Sequence, residues 1–366
     1  MRLWFVAVAF AATLVMGAGE GRAGEEKVLN VYNWSDYVAP DTLEKFTAET
    51  GIKVNYDVYD KNELLAAKLM AGRSGYDVVF PSASPHFAQQ VKAGLYRKLD
   101  RAKLHNFGNV DKDVLATLAA GDPGNQYGIP YMISATGFGY NVDMIKKAMP
   151  DAPTDSWAML FDPKVVSRFK ACGVSLLDDP VEVVPAALSY LGKTGTSQTN
   201  EDLKAASDAV TAARPSLRYF HSSKYINDLA NGDTCLAHGY VGDLVQARNR
   251  AKEAKKGVNI AIAIPKEGAV VNIDVMAVPA DAPHPDNAHA FIDFLMRPEI
   301  IAAVTNTTGY ANAIVPAAPH VDAEIRNDPV IYPPAAVRAR EFTVAPAERE
   351  YEHARTRAWT KVKTGK

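Results

Sequence analysis

Apolar and polar positions alternate in short bursts along the first part of the chain, and each burst is followed by a stretch with helical spacing. Residues 28–34 alternate as a strand. Residues 40–50 follow with Pro40 at the start, Asp41 and Glu44 in the first turn, Leu43 and Phe46 facing inward and Gly51 as the stop, which predicts a helix. A strand over 52–59, a helix over 63–71 capped by Asn62 and ended by Gly72, and a strand over 76–81 complete a βαβαβ unit. Right-handed crossovers between parallel strands place the exits of its first and third strands on one edge of a sheet, so the fold class is α/β.

The later chain repeats the theme less regularly. Residues 127–140 look extended, with Ser, Thr and Gly among aromatics, as either a segment crossing between two bodies or an ordinary strand and loop would. A strand over 173–177 runs into Asp178-Asp179-Pro180-Val181-Glu182, where Asp179 and Glu182 fit a capping box for a helix over 180–192 and equally fit a ligand role. A strand over 234–238 exits through Tyr240 to Asp243, which is either a first-turn acid favoured by the dipole of a helix over 244–256 or a site residue. The almost wholly apolar strand over 269–278 puts Asn272, Asp274 and Met276 on one face. A carboxylate there costs several kcal/mol if buried unpaired, so Asp274 calls for an internal Arg or Lys or for a bound cation. Helices over 285–296 and from Pro298 precede a loop carrying Tyr310, and the tail keeps Trp359 and Val362 as anchors, which predicts packing on the body.

Composition narrows the setting. An apolar run over 3–16 behind Arg2, followed by small residues up to Ala23, predicts a secretory signal peptide over 1–23, too short to span a bilayer. The remainder is long enough for two domains. A net charge of −2 gives no electrostatic case for nucleic acid or an anionic membrane surface. The two cysteines, Cys172 and Cys235, favour a disulfide in an exported chain, with two buried thiols as the alternative.

The strand exits gather Trp34, Asp36, Tyr37, Ser82, Glu182, Tyr240, Asp243, Asp274 and Tyr310: acids, rings and hydroxyls without Lys or Arg. Such a set suits a cation with an apolar body, because carboxylates pair with ammonium groups and ring faces add roughly 0.5–2 kcal/mol each. A putrescine-like diamine, with nitrogens roughly 6 Å apart, fits that description. Enzyme signatures are weak. There is no Gly-x-Ser-x-Gly elbow, phosphate-cradling loop or His-Glu-x-x-His pair, although paired acids could serve a carboxylate-dependent hydrolase. A receptor for a hard metal cation, held by tyrosine and carboxylate oxygen, is a further alternative that the absence of adjacent tyrosines weakens.

Several blocks carry a resemblance: Asn33-Trp34-Ser35-Asp36-Tyr37-Val38-Ala39-Pro40, Leu177-Asp178-Asp179-Pro180, Arg218-Tyr219-Phe220-His221-Ser222-Ser223, Ile264-Pro265-Lys266-Glu267-Gly268-Ala269, Ile331-Tyr332-Pro333-Pro334 and Arg357-Ala358-Trp359-Thr360-Lys361-Val362-Lys363. In this order they resemble the periplasmic polyamine-binding proteins of ABC transporters, most of all the putrescine-binding branch. The resemblance implies a two-lobed periplasmic binding protein fold of type II, each lobe a mixed, mainly parallel sheet flanked by helices. Residues 24–136 and 270–325 would form the first lobe, and 137–269 and 326–366 the second. It also implies a monomer without cofactors that closes on a polyamine in the periplasm and delivers it to an inner-membrane permease.

By motif position, Trp34 and Tyr37 would flank the ligand's carbon chain with Ser35 and Asp36 beside them. Ser82, Ser222 and Tyr310 would line the site, and Glu182, Asp243 and Asp274 would hold the ammonium ends. Cys172 and Cys235 match the family's disulfide. Two positions depart from the pattern: Tyr240 replaces a usual Trp, and Asn272 replaces an aromatic ring that usually covers the ligand. That exchange removes on the order of 1 kcal/mol of ring contact and adds an amide. The expected ligand is therefore more polar or differently sized than putrescine, such as a larger polyamine or a guanidino or modified amine, feeding a transporter or a sensor.

Overall fold

The computed structural model describes residues 25–365, so the signal-peptide expectation for 1–23 lies outside the described residues. The strands that frame the site are β1 (Val28–Trp34), β2 (Lys53–Tyr59), β3 (Val78–Val79), β4 (Gly128–Asn141), β5 (Val174–Leu176), β6 (Tyr219–Phe220), β7 (Leu236–Tyr240), β8 (Ile260–Ala263) and β9 (Ala269–Ala277). β1 pairs in parallel with β2 and β3, as the βαβαβ pattern requires. β9 lies antiparallel to β3 and β4, which gives the order β2-β1-β3-β9-β4.

β4 belongs to two sheets. Its first half, through Ala135, pairs with β9, and its second half, from Thr136, pairs with β7 and β8. The stretch whose sequence admits a crossing segment is thus a continuous strand that runs from one body into the other. In the second sheet β5 lies parallel to β6 and β7. Cys172 and Cys235, just before β5 and β7, are joined as a disulfide across a separation of 63 residues. Closing a loop of that length stabilises the fold by about 4 kcal/mol in the chain-entropy view.

Each body has its own apolar interior. Leu29, Val31, Phe46, Phe291 and Ile301 lie in the first, and Phe138, Trp157, Phe169, Leu236 and Trp359 in the second. The tail does pack on the body, with Tyr351, Trp359 and Val362 in the second core. Ile325 and Ile331 lie in the first core and Tyr332 packs against it, so the chain leaves the first body beyond the expected boundary at 325. The helix Val241–Ala254 sits between the bodies: Leu244, Ala247 and Ala251 enter the second core while Val241 and Val245 pack against the first. The bodies meet across the cleft, where Tyr310 bonds Asp243 and Arg250 pairs with Asp36.

Two local expectations change. The first helix is Thr42–Thr50, two residues inside Pro40, so that Asp41 stands at its N-cap position rather than in its first turn and pairs with Lys45 at 2.7 Å; Gly51 ends it in the left-handed region at φ 70°. Asn62 opens the helix Asn62–Met70 without capping it, because its side chain is held elsewhere. Its Oδ1 accepts from the Ser82 amide and its Nδ2 donates to Ser82 Oγ, an exchange that fixes the exit of β3.

Candidate ligand-binding site

The carboxyl ends of β1, β2, β3 and β7 converge with β9 on a cavity between the bodies, lined by Trp34, Ser35, Tyr37, Ser82, Ser222, Tyr240, Asp243, Asn272, Asp274 and Tyr310 among others. The space is small, with about 40 Å³ open to the centres of water-sized molecules. Trp34 donates from Nε1 to the Phe80 carbonyl at 2.7 Å and lies against Tyr59 with ring centroids 4.5 Å apart, while Tyr59 donates to the same carbonyl at 2.6 Å. One backbone oxygen therefore fixes the pitch of both rings. Ser222 Oγ is buried without a partner among the described residues, available to a ligand N–H.

Asp274 receives the Tyr37 hydroxyl at 2.6 Å and the Ser82 hydroxyl at 2.8 Å. Asp243, in the first turn of Val241–Ala254, receives Tyr225 at 2.7 Å and Tyr310 at 2.8 Å. Burial pushes each carboxyl up to about 6 against the pull of these hydroxyls. Burial and the adjacent carboxylates push the phenols of Tyr37, Tyr225 and Tyr310 well above the usual range, so they stay protonated and donate. Among the described residues no Lys or Arg forms an ion pair with Asp243, Asp274 or Glu182. The internal cation considered for Asp274 is absent among them, and two hydroxyls stand in its place.

Glu182 lies behind the wall. Its Oε2 accepts from Thr136 Oγ1 at 2.6 Å and its Oε1 from Asn272 Nδ2 at 2.8 Å, and burial raises it to about 6. It does not complete a capping box, and it does not line the cavity. The cap is made by Asp179 alone, whose Oδ1 accepts from the Val181 amide at 2.8 Å. Burial, with Glu63 and Glu182 nearby, also raises Asp179.

Asp36 turns away from the cavity. It adopts φ 57°, its carboxylate pairs with Arg250 at 3.0 Å, and its carbonyl accepts from Gln246 Nε2 at 3.4 Å. A side chain engaged with the opposite body in this way is a contact across the cleft, not a wall of the pocket. Sequence reasoning missed Tyr59, Asp60, Ser134, Ser223 and Ile226 as lining residues. Tyr59 and Asp60 stand at the end of β2, so the strand-exit rule that selected Trp34 would have found them. Tyr225 and Thr136 carried no such signal.

No helix among the described residues is long and apolar enough to cross a membrane, and no group of three or more His, Cys, Asp or Glu is placed to hold a metal ion. Residues 41–333 match the family model described as bacterial extracellular solute-binding protein. The chain belongs to this family. The chain is 53% identical over 350 residues, 95% of each chain, to the putrescine-binding periplasmic protein SpuD of Pseudomonas aeruginosa. It is 49% identical over 365 residues to the putrescine-binding periplasmic protein PotF of Escherichia coli, covering 99% of this chain and 98% of that one. Among solved structures, the Tp0655 (TpPotD) lipoprotein of Treponema pallidum superimposes with a TM-score of 0.77 at 28% identity, over 92% of this chain and 99% of that chain. The solute-binding family is a non-enzymatic part of transport systems, so the hydrolase alternative is set aside. The two-lobed α/β architecture of this solute-binding protein agrees with the fold that the sequence motifs implied.

Proposed function

We propose that this solute-binding protein captures a small polyamine of the putrescine class in the periplasm, between its two bodies, and delivers it to an inner-membrane ABC permease. The observation that carries the reading is a small, ring-walled cavity in which two of the lining carboxylates, Asp243 and Asp274, are each hydrogen-bonded, among the described residues, only by neutral hydroxyls. Two buried negative charges without an ion-pair partner among the described residues are costly, and an α,ω-diamine removes that cost with its two ammonium groups while its methylenes lie against Trp34, Tyr37 and Tyr240. The names of the relatives above support the same ligand class. Export by a signal peptide at 1–23 belongs to this proposal.

The test is native mass spectrometry of purified protein followed by calorimetric titration with an amine panel. Retention of an intact amine, and saturable binding of putrescine or spermidine lost in Asp274→Asn at unchanged melting temperature, is the expected result. If Asp274→Asn unfolds the protein while its folded remainder binds amines normally, Asp274 is a structural acid and the reading fails.

A further inference from the structure

Asn272 lines the cavity two residues from Asp274 on the same face of β9. Its Nδ2 donates to Glu182 Oε1 at 2.8 Å, and a carboxylate only accepts, so the amide orientation is fixed with Oδ1 as its free end. No described residue donates to that Oδ1. Glu182 is itself anchored by Thr136, the residue at which β4 passes from one sheet to the other. The amide is therefore held from behind by a buried charge, and a negative partner on its N–H side strengthens the carbonyl as an acceptor.

We infer that Asn272 is the specificity-determining residue of this site and selects a triamine, a ligand with a secondary ammonium inside its chain, over a plain diamine. This rests on the polyamine reading above and goes beyond it. Residues i and i+2 of a strand are about 6.6 Å apart along one face. Amine nitrogens separated by three or four methylenes are about 5–6 Å apart, so neighbouring nitrogens of one ligand can reach Asp274 and Asn272 together. With Asp243, and with Asp60 and the Ser222 hydroxyl also on the wall, the cavity offers more acceptor positions than the two ammonium groups of a diamine fill. A methylene opposite Oδ1 would leave the acceptor dehydrated and unpaired, which disfavours the diamine. Space exists beside the amide: Asn272 also lines a second hollow, with about 130 Å³ open to the centres of water-sized molecules, formed with Val271, Ile273, Ser84 and Thr343. In this arrangement Glu182 is a positioning residue that acts through Asn272.

The matched probes are spermidine and 1,8-diaminooctane, which have the same chain length and differ in the inner nitrogen, with putrescine as reference. Calorimetry on the full chain should give spermidine binding at least about tenfold tighter than 1,8-diaminooctane. Asn272→Leu, or Asn272→Ala if the leucine variant does not fold, should shrink that ratio to within about threefold, because the other contacts cancel in the comparison. Glu182→Gln, which leaves Asn272 in place but frees its amide to turn over, should also shrink it. A wild-type ratio near one, or a ratio unmoved by the Asn272 variants, overturns this inference while putrescine binding leaves the polyamine reading standing. Absence of binding by both putrescine and spermidine overturns the polyamine reading itself.

Discussion

Tyr310 reaches from the first body to Asp243 in the second, donating to Oδ1 at 2.8 Å while Tyr225, from the second body, donates to Oδ2 at 2.7 Å. The ring is kept there by Gly242, where a Cβ would lie 1.9 Å from Tyr310 Cδ2. The lack of a side chain on Gly242 thus leaves room for the contact that joins the two bodies through the Asp243 carboxylate.

Gly242→Ala should therefore displace Tyr310 and lose both its hydrogen bond and its ring wall. The expected cost is about 2–3 kcal/mol of binding, with little change in the melting temperature of the empty protein. Tyr310→Phe removes only the hydroxyl and should cost about 1–2 kcal/mol. Calorimetric titration of both variants with putrescine and spermidine checks the order; equal affinity in Gly242→Ala and wild type would show that Tyr310 does not shape the site.

How much of this was legible in the sequence follows from which rules are local. The strand-to-helix alternation before residue 82 and the lone carboxylate in the apolar β9 pattern were readable because periodicity fixes which residues share a face. Asp36 was misplaced because adjacency to Trp34 and Tyr37 does not reveal a left-handed backbone that turns the side chain toward Arg250. Asn62 looked like a cap, yet a nearby strand exit offered its amide two partners at Ser82. The link from Thr136 through Glu182 to Asn272 joins three distant segments, and no single-sequence pattern encodes such a meeting.

Ligand binding should depend on pH with a sign set by the carboxyls. With the bodies in contact, burial raises Asp243 and Asp274 to about 6, against about 4 in the unfolded chain. The folded state holds these protons more tightly, so their contribution to the stability of the empty protein is fully present below about pH 4 and is lost as pH rises through 6. A cationic ligand needs both groups ionised, so affinity should rise with pH up to about 7 and then level. Below 6 it should fall by about tenfold per pH unit for each carboxyl that must ionise. Titrations at several pH values in buffers of different ionisation enthalpy would detect the released protons, and a flat affinity between pH 5 and about 7 would contradict the assignment of both acids. Tyr310→Phe removes a hydrogen bond that lowers Asp243, so its pH profile should move upward.

Charge pairs outside the cavity cross the cleft. Arg250 pairs with Asp36 at 3.0 Å, Arg248 pairs with Asp328, and Asp178, bonded by Lys363 at 2.7 Å and Trp359 at 2.9 Å, receives Lys61 from the opposite body. Partly exposed pairs of this kind contribute about 0–1 kcal/mol each, and salt screens them. They therefore bias the open–closed balance without fixing it, and on the proposed function a ligand that neutralises Asp243 and Asp274 should shift it toward closure. Arg250→Ala should weaken amine affinity by no more than about fivefold at low salt and by less at high salt. Small-angle scattering should show compaction of the wild type on adding ligand. It should also show a more extended empty state for a variant combining Arg250→Ala with Lys61→Met, because two of the pairs that favour contact are then gone while both ligand carboxylates remain. An unchanged radius of gyration in every one of these states would mean that the bodies do not move, and the cleft pairs would then be ordinary surface contacts.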